Sequence, residues 1–196
     1  MINMIAWSHH LAVENLRPGD LAVDLTAGKG RDTVVLAESV GSEGQVVALD
    51  VQEMALQKTA ETLASHGFIA TPLGSEDVIP DQSGIFLVQA CHSVLSNILV
   101  RAPKVILANL GYLPGGDRKI ITKPETTFLA IQQSLQLLEP GGRLVVTVYP
   151  KHRGGAEESS VVRSCFEKLD CRSWHIACIT VANCLDAPFL FAVERR

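Results

Sequence analysis

The sequence predicts an α/β domain built on a mostly parallel sheet with helices on both faces. Three observations carry that expectation. Apolar, partly β-branched runs alternate with stretches of helical period through most of the 196 residues. The connections between them are short, as right-handed crossovers in one sheet require. A glycine turn, Gly28-Lys29-Gly30, joins the first such run to the helix after it.

A chain of this length supports a single domain over residues 1–196, burying about 70% of its unfolded surface. No run approaches the roughly 18 apolar residues of a membrane helix. Met1-Ile-Asn-Met-Ile-Ala-Trp7 lacks the basic start and long apolar core of a secretory signal, so a cytoplasmic protein without membrane contact is expected. A net charge of -4 gives no global attraction to nucleic acid, and any RNA contact must come from a local patch. Cys91, Cys165, Cys171, Cys178 and Cys184 form no C-x-x-C pair and fit no zinc spacing, so most are expected to be small buried apolar side chains.

In chain order, residues 1–17 read as a helix anchored by Trp7, Leu11, Val13 and Leu16 and stopped at Arg17-Pro-Gly19. His9 and His10 point about 100° apart on such a helix and cannot readily share a metal ion. Residues 21–25 form the first strand, 31–39 a helix, 45–49 the second strand and 52–65 a longer helix. Residues 67–84, rich in Gly, Pro, Ser and Asp, read as a connection with a short edge element around 68–73. Strands follow at 85–90 and from 104, separated by a short helix at 94–100. Thr122-Lys-Pro-Glu125 has the form of a capping box that opens a helix running to Leu138. A fifth strand at 144–149, a helix at 157–169 and a closing hairpin of strands at 172–181 and 189–194 complete the pattern. The expected order is 3-2-1-4-5-7-6, with the last strand antiparallel.

The first glycine turn has Asp24 and Thr26 ahead of it and Thr33 where a dinucleotide fingerprint has its third glycine. Asp50 ends the second strand, at the spacing where an acid accepts hydrogen bonds from both ribose hydroxyls of a bound nucleoside. An acid before the glycines repels a pyrophosphate but suits the charged amino-acid end of S-adenosylmethionine, which is therefore the expected cofactor. His92 follows the third core strand, at the end of the sheet where α/β folds place ligands.

The fourth strand ends in Asn109-Leu-Gly-Tyr-Leu-Pro-Gly-Gly-Asp117. Asn109 offers a carbonyl to orient an N–H, and Tyr112 a ring to pack on a base. The stretch resembles the N/D-P-P-Y/F tetrapeptide of amino-group methyltransferases, with Leu110-Gly111 in place of the prolines. Arg118, Lys119 and Lys123 follow this loop and Lys151, His152 and Arg153 follow the fifth strand, so both groups can rim one edge of the sheet and hold phosphates.

These strings, together with Leu49-Asp-Val-Gln52, Thr122-Lys-Pro-Glu-Thr-Thr127, Tyr149-Pro150, Gly154-Gly155, Asn183 and Pro188-Phe189, resemble the MnmM (YtqB-type) methyltransferases, formerly labelled rRNA methylases, over nearly the whole chain. Where that family usually has Asn between the two glycines, this chain has Lys29, and Ala90-Cys91 replaces its Asp-Ser before the histidine. The resemblance implies a class I S-adenosylmethionine-dependent fold with a seven-stranded, Rossmann-like sheet. It implies methylation of the side-chain amine of 5-aminomethyl-2-thiouridine at the tRNA wobble position, with the anticodon arm as partner. Asp24, Thr26, Ala27, Gly28, Gly30, Asp32, Thr33, Asp50, Gln52, His92 and Asn109 are then the candidates for the cofactor, and Asn109, Tyr112, Asp117 and His92 for catalysis. Asp117, His92 and His152 remain alternatives for the group that takes the amine proton. The competing readings are a methyltransferase acting on rRNA or on a small amine, and a nucleotide-binding module without turnover. A homodimer stays open.

Overall fold

The computed structural model describes residues 3–75, 77–111, 113, 115, 120–151, 153–184 and 186–196. Its strands are β1 (Leu21–Asp24), β2 (Gln45–Asp50), β3 (Ala70–Leu73), β4 (Gly84–Gln89), β5 (Val105–Asn109), β6 (Arg143–Val148), β7 (Trp174–Ile179) and β8 (Phe189–Arg195). The helices are α1 (Met4–Val13), α2 (Arg31–Val40), α3 (Glu53–Ser65), α4 (Leu95–Ile98), α5 (Pro124–Leu137) and α6 (Gly155–Glu167), and a 3-10 turn, His92–Val94, leads into α4.

One sheet of eight strands runs β3-β4-β2-β1-β5-β6-β8-β7. The expected order of seven strands is kept as β4-β2-β1-β5-β6-β8-β7. The eighth, β3, pairs in parallel with the outer side of β4. It is short and carries Pro72, which has no N–H to give a second neighbour and so belongs at an edge. Only β8 is antiparallel, to β6 on one side and β7 on the other.

Successive residues of the central strands feed opposite cores. Val23, Leu49, Ile106 and Val146 face α4–α6, where Leu95, Ile131 and Phe166 meet them. Ala22, Ala48, Leu107 and Val145 face α1–α3, where Met4, Leu36 and Leu63 close the other layer. Because both faces are covered, these strands read as continuous apolar runs rather than alternating ones. The 67–84 connection joins the core on the α4–α6 side through Ile79, and Gln45 Nε2 pins it by donating to the carbonyls of Pro80 and Gln82 at 2.7 and 2.8 Å.

Several expectations are corrected. The first helix is shorter than residues 1–17: Asn3 caps it, its Oδ1 accepting the N–H of Ile5 at 3.0 Å. Its buried line is Met4, Ser8 and Ala12, whereas Trp7 is 44% exposed. Small side chains at i+4 and i+8 let the helix lie close to the sheet, which leaves the indole outside. α5 is capped at Lys123 without a side-chain hydrogen bond, because the Thr122 hydroxyl is committed to Glu158 instead. None of the cysteines is buried: Cys171, Cys178 and Cys184 are exposed, lying on or beside the edge strand β7, and Cys91 and Cys165 are half-buried.

Arg143 on β6 ties α1 to the sheet. Its guanidinium donates to Glu194 at 2.6 Å, to Glu14 at 3.0 Å and to the Leu11 carbonyl at 2.7 Å. That clamp fixes the C-terminal end of α1 at the amino end of β6, and the other end of the helix, with Ile5, reaches the carboxyl ends of the central strands.

Candidate active site

At those strand ends lies a cavity of about 980 Å³. Strand-to-loop hydrogen bonds shape its floor: Leu25 N–H to the Leu107 carbonyl, Ala27 N–H to Leu49, and Ala90 N–H to Asp50. The volume is at the upper end of the roughly 300–1,000 Å³ range of ligand pockets, enough for a cofactor and part of a second molecule. Thr26, Ala27, Gly28, Asp32, Asp50, Gln52, His92 and Asn109 line it, as the sequence leads one to expect.

Asp24, Gly30 and Thr33 lie behind the wall rather than on it. Asp24 is fully buried, its carboxylate accepting the Thr33 hydroxyl at 2.7 Å and the Thr26 N–H at 3.0 Å, so it braces the loop from behind. Burial, and secondarily the charge of Asp32, push its carboxyl up to about 7, against the hydrogen bonds from Thr33 and Thr26. Gly30, at φ +77°, is required by α3: a Cβ there would stand 2.9 Å from Thr59 Cα. The glycine on the cavity side is Gly28, whose N–H is held by Asp50 Oδ2 at 3.0 Å. Asp50 Oδ1 takes the Gln52 N–H at 2.9 Å, which fixes the carboxylate at the mouth with lone pairs to spare.

His92 and Asn109, both on the cavity wall, each carry a buried polar atom that has no partner among the described residues, Nε2 in His92 and Oδ1 in Asn109. Burial lowers the His92 imidazole to about 4, so it is neutral at physiological pH and a weak proton acceptor. The Asn109 backbone N–H donates to Thr26 Oγ1 at 2.8 Å, and its side-chain amide donates to Asp32 Oδ2. Asp32 Oδ1 meets His9 Nε2 at 2.5 Å. Tyr149 also lines the cavity, its phenol raised first by burial and then by the charge of Asp32.

Ile5 of α1 and Tyr149 after β6 line the cavity and His9 of α1 contacts Asp32 of its wall, placements that the sequence reading did not anticipate. The approach of α1 to α2 spans 23 residues of sequence and leaves no periodic signal.

The basic rim is represented by Lys123 and Lys151 on the cavity wall and by exposed Arg153. Lys151 pairs with Asp186 at 3.7 Å, both side chains 70% exposed, a contact worth little in water. Tyr112, Asp117, Arg118, Lys119 and His152 lie outside the described residues. Among the described residues no group of His, Cys, Asp and Glu could hold a metal ion, and no helix is long and apolar enough to cross a membrane.

Comparison with known proteins matches residues 46–194 to the family described as "Putative rRNA methylase". Residues 5–79 also match the ubiE/COQ5 methyltransferase family. A chloroplastic tRNA (mnm(5)s(2)U34)-methyltransferase of Arabidopsis thaliana is 32% identical over 196 residues, taking in 96% of this chain and 68% of that protein. Among solved structures, a putative rRNA-methylase from Clostridium thermocellum superposes with a TM-score of 0.88 at 29% identity, covering 100% of this chain and 99% of its own. A putative methyltransferase from Streptococcus mutans, in complex with SAH, gives 0.83 at 30% identity with the same coverage. The sheet order is that of the class I methyltransferase fold, with one strand added at the edge.

Proposed function

From the premise that the chain belongs to the family described as "Putative rRNA methylase", one of whose relatives is a tRNA (mnm(5)s(2)U34)-methyltransferase, we propose that it methylates a wobble uridine of tRNA. The acceptor is the side-chain amine of 5-aminomethyl-2-thiouridine, the methyl donor is S-adenosylmethionine, and the product is 5-methylaminomethyl-2-thiouridine. The observation that carries this reading is the Asn109 side chain on the cavity wall, whose carbonyl oxygen is buried without a donor. Such an oxygen suits the N–H of an amine and leaves the nitrogen lone pair free.

The wall fits an adenosyl cofactor. Asp50, oriented by Gly28 and Gln52, accepts ribose hydroxyls, while Thr26, Ala27 and Gly28 offer a backbone edge held from behind by Asp24, Gly30 and Thr33. When bound, S-adenosylmethionine supplies a methyl carbon made electrophilic by the adjacent sulfonium. The protein's share is then alignment and exclusion of water. Neutral His92 lines the same cavity and carries a buried nitrogen without a partner among the described residues. Lys123, Lys151 and Arg153 hold phosphates of the anticodon arm, and the exposed Lys151–Asp186 pair yields readily to a phosphate.

The test is transfer of label from S-adenosylmethionine to tRNA carrying the aminomethyl wobble uridine, beside the same tRNA lacking that group and beside rRNA. Nucleoside analysis should find label only in methylaminomethyl-uridine. Label in rRNA, or in none of the RNAs while a small amine is methylated, would replace this reading.

A further inference from the structure

Asp32, on the first turn of α2, uses its two carboxylate oxygens on two different elements: Oδ1 on His9 of α1 and Oδ2 on the Asn109 amide at the end of β5. Asp32 itself lines the cavity, with 11% of its side chain exposed, whereas His9 is 23% exposed. A continuous polar path therefore runs from the acceptor-binding amide, through a carboxylate, to a ring that reaches solvent.

The proposed reaction needs such a path. An alkylammonium, with a pKa of about 10 by analogy with lysine, has no lone pair at neutral pH and must lose one proton before it can attack. The nitrogen lone pair then forms the new N–C bond, the methyl–sulfur bond breaks with its electrons going to sulfur, and positive charge moves from sulfur to nitrogen. That first proton has to leave the closed site. His92 offers no onward path, since its Nε2 is buried without a hydrogen-bond partner among the described residues. Asp24 is shut behind the wall.

Resting on the methyltransferase reading above, the geometry points to Asp32 as the group that takes the amine proton and to His9 as the residue that passes it to water, with the same carboxylate fixing the Asn109 amide. Asn109 has one donor end and one acceptor end; with the NH₂ turned to Asp32, only Oδ1 is left for the substrate. The titratable and charged groups that share the cavity with Asp32 or press on its wall are Asp24 from β1, Lys29 before α2 and Arg31 at its start, Asp50 from β2, Cys91 and His92 after β4, Lys123 before α5, and Tyr149 and Lys151 after β6. Tyr149 and Asp24 both register the charge of Asp32, so that charge is felt on both sides of the wall.

The test compares wild type with Asp32→Asn and His9→Ala on the aminomethyl tRNA, with SAH affinity by calorimetry as a readout apart from turnover. At pH 7 the expected losses in kcat are about 100-fold for Asp32→Asn and about 10-fold for His9→Ala, typical of removing a proton-transfer group. SAH affinity should stay within about twofold, in line with a role away from the cofactor. Raising the pH toward about 9.5, where the amine sheds its proton unaided, should narrow both deficits, and free imidazole should partly rescue His9→Ala. A deficit constant across pH and not rescued would leave the pair a structural support and overturn the inference. A parallel loss of SAH affinity would also overturn it, by moving Asp32 to the cofactor. Wild type inactive on this tRNA would instead strike the functional reading itself.

Discussion

The Thr122 hydroxyl donates to Glu158 Oε2 across 2.8 Å while accepting the Gly111 N–H at 2.8 Å. Thr127 occupies the other oxygen of that fully buried carboxylate at 2.6 Å. One side chain of α6 thus anchors both the start of α5 and the segment two residues beyond Asn109. Glu158→Ala would leave two hydroxyls without their acceptor in a closed space, at a cost of about 3 kcal/mol. Because the anchored segment adjoins Asn109, turnover should fall as well. Glu158→Gln, which keeps one acceptor oxygen, should lose less. Urea unfolding of both variants checks this, and a Glu158→Ala protein as stable as wild type would contradict it.

Asp50 presents a different balance, because its carboxylate serves the fold and the ligand at once. Burial raises its carboxyl, and the N–H groups of Gln52, Gly28 and Val51 pull it back toward the ionised form. Asp50→Asn turns an NH₂ toward one of those donors and removes the charge that a ribose hydroxyl would meet. Charged hydrogen bonds are worth about 1.5–3 kcal/mol, so SAH affinity should drop roughly 10- to 100-fold by calorimetry. Unchanged affinity would take Asp50 out of the cofactor site.

Gly28 and Gly30 look alike in sequence, but the structure separates them. Both have positive φ, +57° and +77°, yet a Cβ on Gly28 meets nothing nearer than 3.6 Å, whereas one on Gly30 presses on the Thr59 backbone. Gly28→Ala should cost about 1 kcal/mol of backbone strain. Gly30→Ala should cost at least about 1 kcal/mol more, since α2 and α3 must part. Chemical denaturation resolves that difference, and equal losses would mean that the α2–α3 contact is loose.

The fold was legible because its signals are local. Apolar runs of strand length, the glycine turn and the acid of Asp50 each sit within a few residues, and the sheet order follows from alternation and crossover handedness. β3 was only half legible, since Pro72 and its polar surroundings look like a connection until β4 is there to pair with it. The site divided in the same way. Thr26, Gly28, Asp50, His92 and Asn109 could be placed on the cavity wall because they end strands or follow them within a few residues, and ligand clefts open at strand ends in this topology. His9 was dismissed because only a metal was considered for it, and its partner Asp32 lies on another helix. Thr122 was misread because a local capping box and a tertiary bond to Glu158 have the same sequence appearance.

Asp24 gives the protein a pH dependence of defined sign. Its carboxyl is raised from an ordinary 3.8 to about 7, by burial first and by Asp32 second. Between those two values the folded protein keeps a proton that the unfolded chain has released. The stability this group contributes is therefore complete below about 3.8 and is lost as pH rises through about 7. Asp50, also raised by burial, acts in the same sense, whereas exposed Glu14, lowered by its hydrogen bond to Arg143, acts in the opposite one. Total stability mixes these contributions, so the useful quantity is the difference between wild type and Asp24→Asn. The amide cannot titrate, and it keeps one oxygen for the Thr33 hydroxyl while facing the Thr26 N–H less well, which adds an offset independent of pH. Urea unfolding at intervals from pH 4 to pH 8.5 should show wild type losing ground to the variant as pH climbs and levelling off above about 7.5. A difference that stays flat across that range would place the Asp24 carboxyl at an ordinary value and assign its charge to the folded state throughout.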